Sequence, residues 1–149
     1  PPRSGQVGGE ARRHDGRRRL SVAPTDDIRK RIDAIEEAYE FFLAYAAQGA
    51  SGDGSSKSGG QLRHFLGRAV GALDGLAASV QAAADGMQPA DAWADLCAVV
   101  DHDARAALAV VRLVAAQPSI SSQLVDNLNA NIHLRAVLTD LFLVDELLG

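Results

Sequence analysis

Residues 61–85 read QLRHFLGRAVGALDGLAASVQAAAD, and the fold turns on how this stretch is read. Leu62, Leu66, Ala69, Leu73, Leu76, Val80 and Ala83 recur at alternating intervals of four and three, the seam of a helix packed lengthwise against other helices. A turn of roughly 100° per residue puts His64, Arg68, Gly71, Gly75 and Ala82 on the opposite side, with Gly67 at the margin. A glycine inside a helix costs about 1 kcal/mol against alanine, a large fraction of a small domain's stability when it occurs three times. Gly67, Gly71 and Gly75 therefore predict a smooth lane against which a second helix or a partner packs, as small residues allow elsewhere.

The neighbouring segments have the same character. Ile28, Ile32, Ile35, Tyr39, Phe42 and Ala46 follow one another at helical spacing, with Thr25 placed to cap and Asp26 and Asp27 in a first turn that favours negative charge. Tyr39, Phe41, Phe42 and Tyr45 supply four of the chain's seven aromatics and indicate a packed core. The acidic stripe Asp33, Glu37 and Glu40 reads as hydrated surface. Pro89 opens a further segment whose seam is Trp93, Cys97, Val100, Ala104, Ala107, Val111 and Val114, with Cys97 a small buried hydrophobe. The expectation is an all-α four-helix bundle with helices at residues 25–48, 61–85, 90–116 and 121–148. A flexible Gly/Ser linker spans 49–60, and a disordered Arg/Gly/Pro-rich arm covers 1–24.

The last segment carries two apolar faces when read as one helix. Val125, Leu128, Ile132, Ala136 and Leu143 form one, and Leu134, Val137, Leu141, Val144 and Leu148 lie nearly opposite. One face suits the core and the second an association site, so a homodimer is expected with Leu134, Val137, Leu141, Val144 and Leu148 in the interface beside Gly67, Gly71 and Gly75. Asn127, Asn129, Asn131 and His133 interrupt the segment with poor helix formers, which suggests side-chain hydrogen bonding in its middle. Asp103 projects into the apolar arc of its own segment and requires a partner such as Arg68, His133 or Arg135. Asp103, Asn131, His133 and Arg135 are thus expected as buried polar groups.

Composition narrows the function. The formal net charge is −4, but up to Pro24 six arginines face two acids, whereas from Thr25 onward nine basic residues face seventeen acidic ones. An acidic body argues against nucleic-acid binding except through the arm, to which no role is assigned. Cys97 is the sole cysteine, so neither an internal disulfide nor a zinc framework is expected, and a reducing cytoplasm fits. No apolar run reaches bilayer length, and no signal-peptide pattern follows Arg17–Arg19.

Chemical signatures are sparse. No Glu-x-x-His pair of a di-iron bundle occurs, and Asp101, His102 and Asp103 point in different directions on a helix, so no metal or other cofactor is expected. Phosphate-loop and nucleophile-elbow motifs are missing. His64 remains, outward on its helix beside Arg63 and Arg68 and above the glycine lane. The run His64-Phe65-Leu66-Gly67-Arg68-Ala69-Val70-Gly71 resembles the signature of histidine phosphotransfer domains, in Leu66 and Gly71 most directly, with the expected lysine and glycine replaced in reverse order by Gly67 and Arg68. That resemblance implies that His64 accepts a phosphoryl group from a response-regulator aspartate and that Arg68 helps neutralise it. The leading expectation is a non-enzymatic, self-associating cytoplasmic protein that acts on an unidentified protein partner as an adaptor, assembly factor or regulator. The alternatives are phosphotransfer through His64 and a small-ligand sensor with a pocket near Asp103 and the asparagines of the last helix.

Overall fold

The structure, a computed structural model, describes residues 23–54 and 56–149; the expected arm lies outside them apart from Ala23 and Pro24. Among the described residues the chain is all-helical, with six helices where four were expected: α1 (Pro24–Ala46), α2 (Lys57–Leu73), α3 (Leu76–Ala83), α4 (Ala90–Ala115), α5 (Ser122–Asn129) and α6 (Ile132–Leu148). The second and fourth expected helices are each divided.

Helix α1 opens on Pro24, whose missing N–H is no loss in a first turn, with Asp26 and Asp27 following it. Thr25, expected as the cap, is already inside the helix, and Ala23 occupies the cap position without a side-chain bond. Ile28, Ile32, Ile35, Ala38, Phe42 and Tyr45 are buried at spacings of three and four. Helix α2 starts four residues earlier than expected, because Ser56 accepts a hydrogen bond from the Gly59 N–H at 3.0 Å and caps it.

The seam of residues 61–85 is buried as its periodicity indicates, from Leu62 through Leu66, Ala69, Leu73 and Leu76 to Val80. The helix carrying it is nevertheless broken. Asp74 is extended and Gly75 left-handed, at φ 74°, a conformation that costs any residue with a Cβ. The carbonyls freed at the end of α2 are taken up from α1: Arg31 Nη1 donates to Asp74 O at 2.6 Å and to Ala72 O at 3.2 Å. Asp27 holds that guanidinium through its Nε at 3.2 Å and also accepts from the Ser79 hydroxyl at 2.6 Å, so one acid on α1 fastens both sides of the break. Hydrogen bonding to Ser79, set against partial burial, holds the Asp27 carboxyl below the usual carboxylate range.

The last segment breaks at Ala130 and Asn131. Asn131 Oδ1 accepts from His133 N at 3.0 Å and Leu134 N at 3.4 Å, which starts α6 afresh. The new start resolves the two-faced reading, since both halves now turn inward: Val125 and Leu128 of α5 and Leu134, Val137, Leu141 and Val144 of α6 all lie in the core.

Chain direction follows from cross-links between helices. Ser58 reaches Gln48 at one end of α1 and α2, Arg68 meets Glu37 midway, and Arg31 meets Asp74 at the other end, so the two run antiparallel. Tyr45 donates to Ile120 O at 2.8 Å, and Arg29 to Gly149 O at 2.6 Å, which sets α5 and α6 antiparallel to α1 as well. Helix α4 packs on α2 and α3 on one side and on α6 on the other.

The expected linker ends at Ser56, and its middle is held firmly. Asp53, its side chain only 8% exposed, accepts from Arg63 Nε at 2.7 Å and from Ile120 N at 2.7 Å. Arg63 continues to the carbonyls of Ala115 and Gln117 at 2.7 and 2.8 Å. Gly59 has to be glycine at this junction, because a Cβ there would overlap the Asp53 carbonyl. The bond from Arg63 holds the Asp53 carboxyl below its usual range, so its contribution is present above the ordinary carboxyl value and is lost as pH falls through the folded one. Asp53→Asn is expected to lower unfolding stability by about 2 kcal/mol at pH 7, with the gap to wild type closing in acid, as read by urea titration at both pH values.

Candidate functional site

Which surface remains to do something follows from the break at Asn131. With Leu134, Val137, Leu141 and Val144 at most 1% exposed and Leu148 packed partly against the core, the face expected as an interface is the core face of α6. The correction has a simple cause. A continuous helix would hold the α5 and α6 apolar residues on opposite sides, whereas the restart at Asn131 removes that constraint. The outward face is left to Ile132, Leu143 and Leu147, which are 72%, 51% and 49% exposed, with Phe142 54% exposed on the other flank of the helix.

Helix α4 adds to this face. Asp103 of α4 and Asp140 of α6 lie close enough across the seam between the two helices for each carboxyl to perturb the other. At roughly 100° per residue, Val99 lies about 40° outward of Asp103, and Leu147 and Leu143 lie about 20° and 60° outward of Asp140. Because α4 and α6 run antiparallel, Val99 and Leu143 sit level with one another, and exposed Leu113 lies near the Ile132 end. Isolated exposed leucines are ordinary, and these five fall into two groups, Val99 with Leu143 and Leu147 and Leu113 with Ile132, about 20 Å apart along the helices at 1.5 Å per residue.

The glycine lane is half intact. Gly67 and Gly71 are helical and exposed, and a Cβ on either would meet nothing within 4 Å. Gly75 leaves the lane because it forms the turn between α2 and α3.

His64 is exposed, its ring edge-on to Phe65 at 5.5 Å. The two arginines beside it are already engaged: Arg68 bonds Glu37 at 2.7 Å and lies 5.8 Å from the Phe65 ring centre, while Arg63 belongs to the Asp53 junction. A phosphoryl group on His64 would have to compete with a carboxylate for its counter-charge.

The expected buried polar set is redistributed. Asp103 is turned inward, but its hydrogen-bond partner is the His102 ring at 3.3 Å, not Arg68, His133 or Arg135. Asn131 is a helix cap, His133 is half-buried and Arg135 is exposed. Buried instead is Asn129, whose amide meets no protein partner. Asp140 was missed by the sequence reading, which sought a cation for Asp103. Its signal was its place three residues after Val137 and four before Val144, beside the inward face.

The clefts lie elsewhere than the sensor reading expected. One of about 570 Å³ opens between α3 and the start of α4, lined by Met87, Trp93, Cys97, Asp85 and Asp101 among others. A second of about 430 Å³ continues along α4 towards Arg105 and Arg112. Cys97 is half-buried there, and burial pushes its thiol up, away from nucleophilic ionisation. Among the described residues no group of three or more His, Cys, Asp or Glu side chains is gathered as a metal would require, and no helix is long and apolar enough to cross a membrane.

Compared with protein-family models, curated proteins and solved structures, the chain matches none. Among the described residues the chain is an all-α protein with one core and with exposed aliphatic groups on the outward side of α4 and α6. Gly71→Ala is expected to stabilise the fold by about 1 kcal/mol, and Gly75→Ala to destabilise it by a similar amount, both measured by urea denaturation. If a helix from another chain seats on the lane, Gly71→Ala weakens that association while strengthening the fold.

Proposed function

We propose that the protein is a non-enzymatic helical module that pairs with a second copy of itself and acts through protein contacts, as an adaptor, assembly factor or regulator in the cytoplasm. Architecturally, we read α2 with α3, and α5 with α6, as two bent rods that together with α1 and α4 occupy the four positions of a four-helix bundle. The observation that carries the reading is that five of the seven exposed large hydrophobic groups among the described residues, Val99, Leu113, Ile132, Leu143 and Leu147, lie on the outward side of α4 and α6, with Leu43 and Phe142 exposed elsewhere. A two-fold pairing of antiparallel α4–α6 faces is self-complementary, because each copy offers the same groups.

The phosphotransfer alternative keeps an accessible imidazole but has lost its uncommitted cation, since Arg68 is paired with Glu37. For the sensor alternative, the clefts beside α3 and α4 lack the closed polar character that was expected. Self-association remains the reading with most support.

Sedimentation velocity at micromolar concentration tests it. Wild type is expected as a dimer, and Leu143→Glu with Leu147→Glu as a monomer of unchanged helical circular dichroism. A monomeric wild type overturns the proposal. Leu141→Glu serves as the contrast: its side chain is fully enclosed, so a charge there should unfold the subunit without producing a folded monomer.

A further inference from the structure

The cleft of about 570 Å³ between α3 and the start of α4 carries charge of one sign. Trp93, Cys97 and Met87 give it an apolar wall, its ionisable carboxyls are Asp85 and Asp101, and no lysine, arginine or histidine lines it. Asp101 is already shared with Arg105 at 2.9 Å. Asp85 is exposed, and the ion pairs among the described residues do not include it.

The mouth of this cleft lies beside the place where the chain enters α1. Arg31 of α1 bonds Asp74 just ahead of α3, and Asp27, one turn earlier in α1, bonds Ser79 further along α3, so the two helices run antiparallel. A further turn in each brings Ala23 level with Ala83, next to the turn that carries Asp85 and Met87. The six residues that precede Ala23 are Arg17, Arg18, Arg19, Leu20, Ser21 and Val22, which lie outside the described residues. Arg19 is five positions from Pro24 and Arg17 seven, a reach of up to about 17 and 24 Å, against about 10 Å for the width of one helix.

Charge selects the same occupant. Up to Pro24 six arginines face two acids, whereas the rest of the chain has nine basic residues against seventeen acidic ones. We propose that residues 17–22 of the same chain seat in the α3–α4 cleft, with Arg17–Arg19 paired to Asp85 and Asp101 and Leu20 laid against Met87 and Trp93. Exposed ion pairs are individually weak, but a short tether supplies an effective concentration on the order of millimolar, which populates a contact that free peptides would not keep. The seated segment closes the cleft to other basic ligands, an internal competitor built into the chain. This proposal does not rest on self-association.

Cys97 is the sole cysteine and stands half-buried in the cleft wall, so its rate of reaction with N-ethylmaleimide, an uncharged reagent, reads whether the cleft is covered. Replacing Arg17, Arg18 and Arg19 together by glutamate in the full chain is expected to raise that rate about fivefold, the scale of three exposed ion pairs. Negative charge brought near a thiol slows this reaction, so the rise reports uncovering. Adding Asp85→Arg to the triple variant is expected to bring the rate down again. Wild type in 1 M sodium chloride, which needs no variant, is expected to show the same rise, because screening shrinks to about 3 Å there. An unchanged rate in both the triple variant and high salt overturns the proposal. Protection of wild type that appears only as protein concentration rises assigns the cleft to the segment of a second copy and overturns it as well.

Discussion

The side chain of Asn131 ends one helical register and begins another, and the surface of the protein follows from that change. An uninterrupted helix over residues 121–148 would point the aliphatic groups of its two halves to opposite sides, and a single core receives only one side. By accepting hydrogen bonds from His133 and Leu134, the Asn131 amide replaces donors' partners that the break removes, and both halves then face inward. The outward direction passes to Ile132, Phe142, Leu143 and Leu147, and the α6 flank that meets α4 is where Asp140 comes to lie.

The break at Gly75 works differently, because the turn's own residues do not satisfy it. Arg31 and Asp27 on α1 supply the bonds, so the end of α2 and the start of α3 are fixed by a helix more than forty positions earlier in the chain. Asp53 does the same at the opposite end, where it joins the start of α2 to the approach to α5. The molecule is therefore fastened at both ends by side chains that reach between segments, with apolar packing in the middle.

Periodicity carried much of this. The seam from Leu62 to Val80, the inward run from Ile28 to Tyr45 and the α4 seam around Val100 and Val111 are each set by the requirement that one stripe of a helix be buried, and that requirement is written in residue spacing. What spacing does not contain is the phase change at a break, since a left-handed glycine and a capping asparagine are both compatible with the periodic run around them. Gly75 is distinguishable from Gly67 and Gly71 only through Arg31, and Asn131 from Asn129 only through which amide ends outside a helix. Asp103 was recognisable as an inward carboxylate from its angle on α4. That a second acid, Asp140, comes close to it depends on the rotation of α6, which the break sets.

Trp93 is the sole tryptophan of the chain, and it stands in the wall of the cleft between α3 and α4. Its emission consequently reports on that end of the molecule, where Met87 and Cys97 are its neighbours in the lining, and is nearly blind to the seam between α4 and α6. Optical studies of this protein thus have a built-in probe of one cleft.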